Sequence, residues 1–483
     1  MVFNSFGFAL FLSIVFILYW FAFSKSAKSQ NLLLLSASLV FYGWVDWRFL
    51  GIILFNAGFN YFVGLSISDS TSEKYKYRLL WFGVLVNISV LGFFKYFNFF
   101  FESFLNVFNF FGANLIYNPL HIILPLGISF FTFQTLGYII DVYNDKIKPS
   151  RDLFIFTTYV TYFPKILAGP IERAQKFLPQ IETKRLFDYH LAADGMRQIL
   201  WGLFKKIVIA DSCAKIVNPI FENYQDFSGS TLFLGLFLYL FQIYCDFSGY
   251  SDIAIGVSKL LGIRLMKNFD QPFFSTNISE FWKKWHISLS SWMMDYVFTP
   301  LSFILRRYKK IGLIISIITT FIIVGLWHGA NWTFIFFGLL HGLYFIPLVL
   351  KGTINKSPVI GEGQTLPSLN DFINMSGLFF LLMFTAVLFR VDSISHAFEF
   401  LGRLFSLSLF SMPRPGSRLD VLILLIPIVA LILAEWMTRG EEHVFANLEC
   451  RCKFSIRWIV YCIIFLSVVF FSGDEKQFIY FQF

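Results

Sequence analysis

GLWHGANWTFIFFGLLHGL, residues 325–343, follows one apolar run, 311–324, and overlaps a second, 333–350. His328 therefore lies between two segments that each read as membrane-buried. A polar side chain in such a place costs roughly 2–7 kcal/mol on transfer scales if nothing partners it. An ionisable residue inside a membrane is for that reason a functional-site hypothesis by default. Gly325 and Gly329 flank it, and small residues let a backbone or a substrate approach closely. Trp327 and Trp332 bracket it with broad faces and N–H donors that need acceptors. The competing reading is a structural histidine bonded to a carbonyl across a helix pair, and this stretch alone leaves both open.

The composition around it sets the class. Of 483 residues, 57% are hydrophobic and 20% aromatic, with 66 Phe. Charged residues are 14%, against about 25% in a soluble domain. This is the profile of an all-α polytopic membrane protein, and no polar stretch is long enough for a separate soluble domain. The whole chain, 1–483, reads as one membrane domain: N-terminal helices over 1–120, a catalytic core over 121–350 and C-terminal helices over 351–483. The net charge of +9 fits lysines and arginines in short loops between spans and does not indicate nucleic acid. Cys213, Cys245, Cys450, Cys452 and Cys462 offer no zinc-ligand spacing, so no metal site is read.

Loop charges orient the chain. Residues 6–23 are apolar with no basic residue before them, and Lys25 and Lys28 follow. A secretory signal carries its positive charge first, so this is a first span with its N-terminus outside. Spans at 31–44 and 49–67 come next, then a loop with Lys74, Lys76 and Arg78 that suits the cytoplasm. Residues 79–101 return outward to a loop, 102–119, that holds no Lys or Arg. Residues 122–140 read as a further span, although Pro125, Gly127 and Gly137 lie inside it. Residues 153–163 are too short to cross a bilayer, which takes about 20 residues. Pro164 and the Gly169-Pro170 step then break the run. Such a piece is either re-entrant from the cytoplasmic side or a surface helix at the interface.

Residues 196–212 are amphipathic, with Arg197, Lys205, Lys206 and Asp211. The span at 231–247 runs into DFSGYSDIAIG, residues 246–256. Asp246 and Asp252 fall about 120° apart on a helix, which is poor for a metal pair and fits helix capping or pairing with a buried base. FWKKWHISLSSWMMDYVFTPL, residues 281–301, is aromatic and amphipathic, with Glu280 placed to pair with Lys284 and with His286 between Trp285 and Ser288. Further spans read at 377–389, 421–436 and 458–471, which brings the count to roughly 11–13 membrane segments including re-entrant pieces.

No P-loop, dinucleotide fingerprint, nucleophile elbow or HExxH zinc pair is present. What remains is His, Asp, Ser and Tyr in apolar surroundings. That inventory suits proton abstraction from a hydroxyl by a neutral histidine, and acyl transfer in a buried site is a natural use for such a base. A transporter without covalent chemistry is the reading from a different class. Transporters often show paired halves, and none are visible here.

Several stretches closely resemble the membrane-bound O-acyltransferase family, and within it the alginate-type bacterial branch. They are GLWHGANWTFIFFGLLHGL and FWKKWHISLSSWMMDY, supported by FYGWVDWRFL (41–50), GYIIDVY (137–143), FPKILAGPIER (163–173), DFSGYSDIAIG, FRVDSISHAF (389–398) and the terminal FIYFQF. The resemblance runs over nearly the whole chain. It departs from the family at one helix end, where Met293-Met294 precede Asp295 and Ser302-Phe303 follow Leu301 in place of a basic residue and a double glycine. It implies a fold with membrane helices and re-entrant or amphipathic segments around a central tunnel. It implies His328 as the catalytic histidine and His286 as a second, positioning or acid–base histidine, with Asp295, Asn331 and Trp327 in supporting places. His341 lies about 220° from His328 if both ride one helix, and reads as a packing residue. His121, His190, His396 and His443 carry no chemistry on this reading.

The implied function is acetyl transfer across the bacterial inner membrane. The donor is acetyl-CoA or another acyl thioester on the cytoplasmic side, and no bound cofactor is expected. The acceptor is an extracytoplasmic polysaccharide, alginate or an alginate-like polymer, reached through a separate periplasmic acetyltransferase partner. Peptidoglycan O-acetylation and teichoic acid D-alanylation by the same fold are the alternatives. Membrane lipid surrounds the chain, and no nucleic acid is involved.

Overall fold

The computed structural model describes residues 2–113, 115, 118–354, 366–473 and 478, and they are helices and loops without a strand. All of the terminal FIYFQF except Phe478 lies outside the described residues, as do residues 355–365 of the polar loop. Among the described residues, eight helices are long and apolar enough to cross a membrane: Phe49–Asp69, Glu73–Phe110, Gly229–Leu260, Arg306–His328, Trp332–Lys351, Leu369–Phe389, Arg418–Met437 and Phe454–Phe471. The larger number read from the sequence includes shorter helices such as Ala27–Gly43, Ile128–Tyr143 and Leu153–Thr161. Phe454–Phe471 buries only Val468, the mark of a helix that gives nearly all its apolar surface to lipid. The protein is a multi-pass membrane protein.

The chain forms two compact units: Met1–Ala193 with Val257–Met266, and Asp194–Gly256 with Lys267–Phe483. In the first, polar side chains tie neighbouring helices together. Asn56 donates to Asn87 at 2.8 Å, and Asn87 donates to Asn60 at 2.8 Å, all buried. Such bonds hold membrane helices where apolar packing alone is undirected. The run at 122–140 does not form one span. Gly127 takes φ +75°, and a Cβ there would stand 2.4 Å from the Ile166 carbonyl oxygen, so the helix Ile128–Tyr143 starts only after it.

The broken segment is buried inside this unit from Phe156 onward, while Leu153 and Phe154 are exposed. Leu153–Thr161 is a nine-residue helix, and residues 162–172 that follow are all buried. Burial in protein is the condition under which a broken helix survives at membrane depth. Lys165 explains how an ionisable group survives there. Its Nζ donates to Gln134 Oε1 at 2.8 Å and lies 4.2 Å from the Tyr159 ring centre and 4.6 Å from that of Phe177.

Gly229–Leu260 is a 32-residue helix, about 48 Å long at 1.5 Å per residue, and its residues 229–256 belong to the second unit. Lys205 and Lys206 do not face solvent as an amphipathic helix would place them. The helix Tyr189–Leu203 continues as a π-helical stretch, Phe204–Ala210. That stretch aims Lys205 at Asp252 (2.6 Å), and Lys206 at Asp246 (2.6 Å) and Asp211 (2.9 Å). The two aspartates thus pair with buried bases. The backbones meet at glycines: a Cβ on Gly249 would lie 2.8 Å from the Gly202 carbonyl oxygen, and one on Gly256 2.5 Å from that of Gly195.

Candidate active site

The stretch at 325–343 is two helices, not one. Lys309–His328 ends at the histidine, and Gly329 leaves the helix in extended conformation. Asn331 then caps Trp332–Tyr344, accepting the Thr333 N–H at 3.0 Å, while its own amide donates to the Asp392 carbonyl at 2.9 Å. The two helices pack backbone to backbone. A Cβ on Gly325 would sit 2.1 Å from the Phe334 carbonyl oxygen, and one on Gly338 2.2 Å from that of Phe321. Any larger side chain at either glycine would force the pair apart.

His328 is buried at the end of its helix, with its ring 4.9 Å from Phe389, 5.0 Å from Trp327 and 6.2 Å from Phe337 between centroids. It lines a cavity of about 50 Å³ together with Trp282, Trp285, Phe337, His341 and Phe389 among others. Most of that wall is apolar, as ligand pockets are.

His286 is fully buried, in left-handed conformation (φ 45°, ψ 54°), at the start of the helix Ile287–Met293. Its ring stands 4.6 Å from Phe247 and 5.4 Å from Trp327. Trp327 thus touches both histidines predicted from the sequence. Neither nitrogen of His286 makes a hydrogen bond among the described residues, and burial lowers its pKa from 6.5 to about 3, which leaves it neutral. The turn that holds it is pinned by Asn268. The Asn268 carbonyl accepts the Ile287 N–H at 2.9 Å, and its Oδ1 accepts the Ser288 N–H and hydroxyl at 3.2 and 2.9 Å. Asn268 was not singled out in the sequence, and only its place as a polar residue in an aromatic run, KNFDQPFF, hints at it.

The supporting residues divide. Trp327 packs against both His328 and His286, whereas Asp295 is exposed in the π-helical stretch Met294–Phe298 and Asn331 is a helix cap; none of the three lines the cavity. His341 does line it. The 220° estimate assumed a continuous helix, and the break at Gly329 removes that premise. His341 Nδ1 accepts the Trp282 indole N–H at 3.2 Å, and its ring lies 4.1 Å from Phe337. Among the histidines set aside, His443 contacts Asp194 at 2.8 Å and lines a separate, polar cavity of about 30 Å³.

A family model of the membrane-bound O-acyltransferases matches residues 144–384, which include His286, His328 and His341. The probable alginate O-acetylase of Azotobacter vinelandii is 38% identical over 409 residues, 84% of this chain and 78% of that protein. The chain belongs to the membrane-bound O-acyltransferase family. The probable alginate O-acetylase of Pseudomonas aeruginosa is 36% identical over 411 residues, 84% of this chain and 75% of that protein. The peptidoglycan O-acetyltransferase of Helicobacter pylori is 35% identical over 342 residues, 65% of this chain and 63% of that protein. Family membership makes this chain an enzyme of O-acyl transfer.

Proposed function

We propose that the protein moves acetyl groups from a cytoplasmic acyl thioester, acetyl-CoA or a related carrier, across the bacterial inner membrane for O-acetylation of an extracytoplasmic polysaccharide of the alginate type. The observation that carries this is His328 at the end of a broken helix, walled into a small apolar cavity. One water needs roughly 10–15 Å³ of such space, so the space of about 50 Å³ beside His328 has room for a two-carbon acyl group. His328 acts as general base. It takes the proton of the acceptor hydroxyl as that oxygen bonds to the thioester carbonyl carbon. It returns the proton to the leaving thiolate as the carbon–sulfur bond breaks. His286, neutral and outside the cavity lining, packs on the Trp327 indole, which in turn packs on His328, and so acts as a positioning residue. The attacking hydroxyl belongs to a carrier on the outer side, and a separate periplasmic acetyltransferase moves the acetyl group from that ester to a hydroxyl of the polysaccharide, which frees the carrier hydroxyl.

The name of the Helicobacter pylori relative supports peptidoglycan as the other acceptor. D-alanylation of teichoic acid follows the same chemistry, and relatives carry that name as well. The experiment measures polymer-bound acetate in cells that express wild type or His328→Ala at matched membrane levels. Loss of acetate in the variant, with a fall of roughly 10²–10⁴-fold in rate, supports the reading, and the polymer that loses it identifies the acceptor. Acetate at the wild-type level makes His328 structural and assigns the base to another residue.

A further inference from the structure

Acyl transfer with His328 as base uses two of the three buried histidines around Trp327 and the cavity. His341 is left over, and its bonding fixes how it can act. An indole nitrogen only donates, so the Trp282 N–H at 3.2 Å makes His341 Nδ1 an acceptor without a proton. The proton of the ring is therefore on Nε2. That nitrogen is buried and makes no hydrogen bond among the described residues. A buried N–H left without an acceptor destabilises the fold that holds it. Here the residue lines the same mostly apolar cavity as His328, and Phe337 touches both rings, at 4.1 Å for His341 and 6.2 Å for His328.

A donor locked in this way cannot be the base, because its free nitrogen is already occupied by Trp282. It can receive a carbonyl oxygen. We propose that His341 Nε2–H is the donor to the acyl carbonyl oxygen, that it stabilises the oxyanion formed on attack, and that Trp282 sets the tautomer that makes this possible. The inference rests on His328 as the base. The acceptor oxygen bonds to the carbonyl carbon, and its proton passes to His328. The carbonyl oxygen gains the negative charge and is held by His341, which keeps its own proton throughout. The carbon–sulfur bond then breaks, and the proton on His328 goes to the thiolate.

The test uses the full chain in membranes. It follows incorporation of labelled acetate into polymer for wild type, His341→Phe, His341→Gln and His328→Ala at matched levels, with the thermal midpoint of each purified protein. Phe keeps the packing against Phe337 and removes the donor. Gln keeps an N–H at the far end. His341→Phe is expected to lose roughly 10²–10³-fold in rate, the usual effect of deleting one such donor, with its midpoint close to wild type. His341→Gln is expected to recover most of that loss. A wild-type rate in His341→Phe overturns the inference, and so does an equal loss in Phe and Gln. Undiminished incorporation by His328→Ala overturns the reading of His328 instead.

Discussion

Two cavities open in the unit that holds His328, and they are built on opposite terms. One is mostly apolar and takes its titratable groups from His328 and His341. The other is lined by Lys205, Asp252, Tyr244, Glu435, Lys267 and His443 among others. By chemistry-bearing side chains the polar cavity is the richer of the two. Its groups, however, neutralise one another: Lys205 pairs with Asp252 at 2.6 Å, and Tyr244 donates to Glu435 at 2.7 Å. In a low-dielectric interior every charge must be satisfied, and one satisfied by its neighbour is not available to a substrate. The mostly apolar cavity holds fewer polar atoms, and the His341 Nε2–H among them has no acceptor of its own among the described residues. One cluster is closed on itself and ties helices together; the other keeps a buried nitrogen unused, and on it the proposed acyl transfer rests.

The strongest way to break this comparison is to remove the cation next to the polar cavity. Lys206 lies beside Lys205 and bridges Asp246 and Asp211. Burial alone would lower its pKa, but the two carboxylates outweigh burial and raise it above its ordinary value. Lys206→Met should destabilise the protein by about 3–5 kcal/mol, because it removes the cation that the buried Asp246 and the half-buried Asp211 share. Thermal unfolding of the purified protein measures this. A raised lysine pKa stabilises the fold at every pH below the ordinary value of about 10.4 and is lost only as pH rises through the folded value. The deficit should therefore be the same at pH 6 and pH 8. A midpoint equal to wild type would mean that the pairs are not structural, and the polar cavity would become a rival site.

A smaller effect sharpens the same point. Tyr244→Phe removes the hydrogen bond to the buried Glu435 and nothing else of size. The expected loss is about 1–3 kcal/mol of stability, with acetate incorporation per folded molecule close to wild type. A loss of incorporation without a loss of stability would move chemistry into the polar cavity.

The sequence showed the long helices because their signal is local. The expected span at 49–67 is the helix Phe49–Asp69, that at 421–436 is Arg418–Met437, and that at 458–471 is Phe454–Phe471. Residues 122–140 failed because apolar composition does not report a single left-handed residue, and Gly127 ends the run. His328 and His286 were visible as ionisable residues in apolar surroundings and through their motifs. His341 was misplaced, because helical angles do not carry across the break at Gly329. Its partner Trp282 is 59 residues away, and Asn268 lies 20 residues before the Ser288 it holds. Such pairings follow from tertiary packing, which no spacing rule contains.

The break at Gly329 also sets the smallest expected effect. Asn331 holds the start of Trp332–Tyr344 by capping Thr333, and it donates to the Asp392 carbonyl. It does not line the cavity. If the cap is its whole role, Asn331→Ala should cost about 1 kcal/mol of stability, and Asn331→Asp, which keeps the accepting oxygen, should recover most of it. Acetate incorporation per folded molecule should stay at the wild-type rate in both. A rate loss shared by both variants would show that the amide bond to Asp392 positions His328. The boundary of the proposed site would then extend past Gly329, into the turn that separates the two helices.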